Sequence, residues 1–378
     1  MTALHLAAGF SSTSIIKVIL EAGLDINVRD SRCRIPLHYA LRHNNVDVVC
    51  LLVDSGADLK AVDDEQRTIM HFAAQNKNID VVKMMIDLGA DVRALDTCEI
   101  TPLHIAVQHH GVDVVKLLVD NGVDVRAVDK GNRTLLHYAT KSKDIDVVKL
   151  VLSYDAADVD ARDNDQNTPL HFAAQHSGVD VVKLLISKGV DMRAVDKKKR
   201  TLLHFPVKMI INSSGADVKA VDKDEQTPLH MAAKFNPSAD VIRALVDKGA
   251  DIEACDDFQR TPLHRAARVN PSADVIRALV DKGAHIDARD NVQQTPLHWA
   301  VKFAQGMVKI LIERGANINV LTCGQESPLS WAAVYNKREA VIELCKAGAN
   351  PQLGGNLLDD IRVKHEMKQL IREKCLSL

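Results

Sequence analysis

One tetrapeptide recurs along the whole chain and leaves little choice of architecture. Thr-Pro-Leu-His, or a near variant, starts at Thr2, Ile35, Thr68, Thr101, Thr134, Thr168, Thr201, Thr227, Thr261, Thr295 and Ser327. The steps are 33, 33, 33, 33, 34, 33, 26, 34, 34 and 32 residues, which makes eleven copies. A period of this size marks a stack of small units, each touching only its neighbours. The 378 residues therefore do not divide into the two or three globular domains that length alone suggests.

Every full unit has the same internal order. The signature opens a short helix: Thr is a good N-cap, and Pro at the first helical position needs no N–H donor. Two small Ala let this inner helix sit close to its neighbours. A polar stretch leads to an amphipathic run such as VDVVKLLVDNG (112–122), with Val114, Val115, Leu117 and Leu118 on one face and Asp113, Lys116 and Asp120 off it. Gly122 stands where a helix C-cap favours a positive φ. A segment such as VDVRAVDKGNR (123–133) leads to the next Thr.

Eleven such units in register closely resemble the ankyrin repeat, over residues 1 to about 350 with a degenerate tail to 378. The resemblance implies an all-α solenoid, each repeat a helix–turn–helix with a β-hairpin finger, stacked in a curved array. It also implies protein binding without chemistry, through the finger tips and the concave face of the inner helices. One departure stands out. Where the family usually has Gly in the finger turn, this chain has Cys33, Gln66, Glu99, Asn132, Gln166, Lys199, Glu225, Gln259, Gln293 and Gln325. Among these only Asn tolerates a positive φ well, so altered or mildly strained turns and less regular fingers are expected.

The termini and the spacing add organisation. Met1 precedes the first signature directly, so either the first inner-helix face is exposed or the chain is a fragment of a longer array that targets an effector or toxin-like domain. Residues 356–378 read as a half repeat with a charged outer face (Lys364, Glu366, Lys368, Arg372, Glu373, Lys374), as a cap requires. Repeats 3, 5 and 7 lack the Pro of their neighbours, and PSADVIRALVDKGA occurs at both 237–250 and 271–284. In the 26-residue step, Pro206 stands where Ala should continue the inner helix and VKMII (207–211) is a stub of the outer one. The division expected is 1–200, repeats 1 to 6; 201–226, a truncated joint; 227–350, repeats 8 to 11; and 351–378, a cap.

Composition excludes several classes. Lys+Arg is 48 and Asp+Glu 50, a net charge of −2, with no global field for nucleic acid or an anionic membrane. Apolar runs are short, and MTALHLAAGFSSTS is no signal peptide. Seven Cys without a C-x-x-C pair read as reduced thiols in the cytoplasm, or in the nucleus if KKKR (197–200) acts as a targeting run rather than as a solvated finger tip. No nucleotide loop, nucleophile elbow or H-E-x-x-H is present, so no enzyme, cofactor or metal is expected.

Ten of the sixteen His are the fourth residue of the signature. The resemblance implies that they bridge neighbouring repeats. Inner helices about 10 Å apart hold two imidazoles too far apart to share an ion. The Asp row (Asp30, 63, 96, 129, 163, 196, 222, 256, 290) belongs to the fingers and is no catalytic dyad.

The concave stripe maps to the residue after His and the pair after the second Ala, at i, i+3 and i+4. In the first half it is mostly amide and imidazole, as in Phe72/Gln75/Asn76, Tyr138/Lys141/Ser142 and Phe172/Gln175/His176. In the second half it holds Met231, Lys234, Phe235, Arg265, Arg268, Trp299, Lys302, Phe303, Trp331 and Tyr335, including both Trp of the chain. Binding hot spots favour Trp, Tyr and Arg. Trp299 and Trp331 have a core reading beside this one, since the residue after His also faces the neighbouring helix. The expectation is a monomeric scaffold or adaptor whose basic-aromatic groove at 231–335 takes an acidic, partly apolar peptide.

Overall fold

The computed structural model describes residues 1–378 except 11–12, 44–45, 110, 143, 156, 177–178, 206–216, 237, 271, 355–356, 358, 361 and 376–378. Among the described residues there are twenty-one α-helices and no strand, an all-helical repeat solenoid. The chain falls into two compact units, Met1–Asp191 and Met192–Leu378.

Each signature builds the same N-terminal device. In all ten His repeats the backbone N–H of the first residue donates to Nδ1 of the His three positions on, at 3.0–3.2 Å. An accepting Nδ1 leaves the proton on Nε2. That proton bonds the carbonyl just before the next signature, at Arg34, Ile100, Asn167, Gln226, Arg260, Gln294 and Glu326, at 2.8–3.3 Å. These seven rings are therefore structural, each capping its own helix and tying down the next repeat, whereas the buried Nε2 of His38 and of His104 finds no hydrogen-bond partner among the described residues.

The first unit pairs inner helices such as Pro36–Arg42 and Pro102–His109 with outer helices such as Val46–Asp54 and Val112–Asp120. Repeats 3 and 5, which lack Pro, have inner helices of only 5 residues, Ile69–Ala73 and Leu135–Ala139. There the chain turns early, and Asn76 and Ser142 are buried. Asn76 donates to the Leu41 carbonyl at 2.6 Å, and the Ser142 hydroxyl accepts from the Asp144 amide. This corrects their place on the surface stripe. At the start of the unit, Leu6, Phe10 and Val18 are exposed.

In the second unit the described residues of the seventh repeat's opening form a 3-10 turn, Leu202–His204, where its neighbours start an inner α-helix. Pro206 and the VKMII stub lie outside the described residues. Four full helix pairs follow, with inner helices Pro228–Phe235, Pro262–Val269, Pro296–Phe303 and Pro328–Val334. The last helix, His365–Cys375, buries Met367, Leu370 and Ile371 and exposes Glu366, Arg372, Glu373 and Lys374. A disulfide joins Cys375 to Cys345 on the outer helix Arg338–Lys346. The reading of every Cys as a reduced thiol is thereby corrected. These two are 30 residues apart in sequence, but packing of the cap brings their Cα atoms to 4.8 Å. No spacing motif marks such a pair.

The fingers also depart from expectation. All ten residues standing for the turn Gly adopt the left-handed region, with φ between 55° and 62°. The turns are uniform, not altered, because their hydrogen bonds override the side chain. In each of the nine Asp-bearing fingers the Asp N–H donates to the carbonyl four residues on. Its Oδ1 accepts the amides two and four residues on, as in Asp256 with Phe258 and Arg260 at 2.9 and 3.0 Å. Sheet-type pairing within the fingers is limited to isolated bridges Val62–Thr68 and Val128–Thr134 among the described residues. Adjacent tips are linked along the second unit, the Asn291 amide to the Phe258 carbonyl and the Cys323 amide to the Val292 carbonyl.

Candidate functional site

Nine residues separate each finger Asp from the residue after His, and the fold brings the two together. Where that residue carries a polar handle, the Asp takes it. Tyr39 and Tyr138 donate to Asp30 and Asp129 at 2.7 Å, Arg265 to Asp256 at 2.5 Å, and the Trp299 indole to Asp290 at 3.1 Å. In the eleventh repeat the Trp331 indole donates to Glu326 at 2.7 Å. Sequence reasoning missed this pairing, although an Asp nine positions before Tyr39, Tyr138, Arg265 and Trp299 was there to be noticed.

The pairing sorts the ten stripe residues of the second unit. Arg265 and Trp331 are buried, at 7% and 6% exposure. They back the surface instead of forming it. Asp256 holds both Arg265 and Arg260, the latter at 3.0 Å. Burial pushes the Asp256 carboxyl up, but backbone hydrogen bonds and the two guanidinium groups hold it below its ordinary value. Met231, Lys234, Arg268, Trp299 and Lys302 are half-buried, and Phe235, Phe303 and Tyr335 are exposed.

These side chains interleave. Lys234 Nζ sits 4.4 Å from the Phe235 ring centre. The Arg268 guanidinium lies over Trp299 at 5.1 Å and Phe303 at 5.0 Å, both from the next repeat. Lys302 Nζ lies 5.3 Å from Phe303, 5.3 Å from Trp331 and 4.8 Å from Tyr335. Trp299 stacks on Phe303 with centroids 5.6 Å apart. Each cation thus spans an aromatic face, a contact contributing roughly 0.5–2 kcal/mol. Lys234, Arg268 and Lys302 form no ion pair among the described residues, unlike Arg260 and Arg265. Burial lowers the Lys234 pKa, and the nearby Arg265, Arg268 and Arg260 lower it further.

The fingers supply residues that the sequence reading left out. Arg260 lies 4.2 Å from the ring centre of Phe258 and 5.7 Å from that of Trp299, which joins the finger tip to the stripe. Phe258 and Val292 are exposed on adjacent tips. Among the described residues no three His, Cys, Asp or Glu side chains converge as metal ligands, and no helix is long and apolar enough to cross a membrane.

Family profiles described as ankyrin repeats (3 copies) match residues 1–63, 70–163, 103–196, 156–210, 205–290 and 285–354. A second, described as ankyrin repeats (many copies), matches residues 51–86. No curated protein matches the chain significantly. Together these matches span almost all of residues 1–354, and the chain belongs to the ankyrin repeat family.

Proposed function

We propose that this protein is a non-catalytic scaffold or adaptor that captures a protein partner on the cation–aromatic ladder of its second unit. Ankyrin repeats generally mediate protein–protein interaction. The observation that carries the choice of face is the row of three unneutralised cations, Lys234, Arg268 and Lys302, each held against an aromatic ring. A partner with acidic and apolar side chains would neutralise the row and cover Phe235, Phe303 and Tyr335. The partner expected is an acidic, partly apolar segment, bound by a monomer in the cytoplasm or nucleus. Replacing all three cations with Glu should abolish partner capture in a pull-down from lysate while the helical circular dichroism stays unchanged. Unchanged capture sinks the reading.

Residues 201–226 serve in this proposal as a joint between the two sets of repeats. Among the described residues Leu202–His204 form a 3-10 turn there, and His204 still reaches the Gln226 carbonyl at 2.9 Å. A weak unit lowers coupling to its neighbours. Amides of 217–226 should exchange with solvent faster than those of 101–133, and equal protection argues against a joint.

A further inference from the structure

We propose, on the acidic-peptide reading above, that the ladder selects a polyproline-II segment with an acidic residue at every third position. The cations are spaced by the repeat itself: Lys234, Arg268 and Lys302 occupy the same place on consecutive inner helices, Pro228–Phe235, Pro262–Val269 and Pro296–Phe303. Packed helices lie about 8–10 Å apart. A polyproline-II chain turns once every three residues and rises about 9.3 Å per turn, so residues i, i+3 and i+6 share one face at that spacing. A flat strand fits worse, because i and i+3 point to opposite faces.

The surroundings fit such a ligand. Beside the cations stand exposed apolar groups, Phe235, Val269 and Phe303, with Tyr335 on the repeat after Lys302, and polyproline-II segments dock in aromatic-lined grooves. Phe258 and Val292 on the finger tips supply a second apolar edge. The nearby acids are already engaged: Asp256 by Arg260 and Arg265, Asp290 by two backbone amides and the Trp299 indole, Glu326 by Arg362 and the Trp331 indole. A single-stranded nucleic acid also offers anions and stacking groups. However, the Trp299 and Trp331 rings are already occupied by cations of the protein itself.

The test uses the full chain and fluorescent peptides in an anisotropy titration. One peptide carries Glu at i, i+3 and i+6 with Pro and Leu between. A second has the same composition with the three Glu consecutive, and a third probe is a twelve-residue oligothymidylate. The spaced peptide should bind at least about ten-fold more tightly than the consecutive one. Lys302→Glu should remove that advantage, and a spaced peptide with Lys in place of one terminal Glu should restore it. Equal binding of the two peptides overturns the register and leaves the acidic-peptide reading standing. No binding of either overturns both, and tighter binding of the oligothymidylate overturns the peptide in favour of nucleic acid.

Discussion

The two units use one repeat to opposite ends. In the first, most positions after the second Ala turn inward or carry amides and imidazoles: Asn76 bonds the Leu41 carbonyl, and Ser142 caps the Asp144 amide. Its cations there, Arg42 and Lys141, are not on consecutive repeats, although Lys141 lies 5.1 Å from the Tyr138 ring and 4.9 Å from that of Phe172. In the second, the same positions carry Lys234, Arg268 and Lys302, half-buried against aromatic rings. The scaffold is common to both, since the Thr–His cap and the Asp-centred finger recur in each. The comparison teaches that a residue after His with a polar handle belongs to the scaffold through the finger Asp, and that the two units differ three and four residues later.

The largest effect expected lies in the shared scaffold. Burial pushes His38 and His104 in the first unit and His230 and His298 in the second down to about 4. The unfolded chain therefore takes up protons that the folded chain refuses between pH 6.5 and 4, and stability present above 6.5 is lost as pH falls through that window. At pH 5 each such His costs up to about 2 kcal/mol, at roughly 1.4 kcal/mol per pKa unit. Asp30 works in a lower window. Burial raises it, but hydrogen bonds from Tyr39 and Arg34 hold it well below the carboxylate range, so its contribution is lost only as pH falls below about 4. Urea midpoints at pH 7, 5 and 3.5 check this, and no fall between pH 7 and 5 contradicts the buried neutral rings.

The next effect separates the units. Asp256→Ala and Asp96→Ala each remove an acceptor of two backbone amides. Only Asp256 also neutralises a buried Arg265 beside Arg260. Leaving a buried charge unpaired costs about 3–5 kcal/mol. Asp256→Ala should therefore destabilise by roughly 2–3 kcal/mol more than Asp96→Ala in chemical denaturation. Equal losses would mean that Arg265 finds water.

Much of this was legible in the sequence, for physical reasons. The period, the Thr cap and the Gly that ends most outer helices depend on local conformation, and local preference is written residue by residue. Gly122 at φ 77° is one such case. The charged face of the helix His365–Cys375 was legible too, since solvent decides which of its residues are polar. Contacts made between one element and another were not. The Asp256–Arg265 pair, the Arg260–Trp299 contact and the Cys345–Cys375 bond depend on how loops fold back. Of the ten stripe residues chosen, the buried Arg265 and Trp331 show the same limit: spacing names the face of a helix but not the loop that covers it.

The smallest effect bears on the finger turn, where local preference lost. A non-Gly residue in the left-handed region costs roughly 1 kcal/mol, and each finger overrides that cost with its Asp-centred bonds. Gln259 sits at φ 58° in the second unit and Asn132 at φ 60° in the first. Gln259→Gly relieves the strain and should stabilise by about 0.5–1 kcal/mol, less what the freer unfolded chain takes back. Asn132 tolerates the conformation better, and its Nδ2 donates to the Arg162 carbonyl at 2.7 Å. Asn132→Gly should therefore be neutral or slightly destabilising. Thermal midpoints of the two variants, measured at one pH, decide the point. If both gain equally, the Asn132 bond contributes nothing and the turns of the two units are equivalent; if neither gains, the fingers hold their ten left-handed residues without strain.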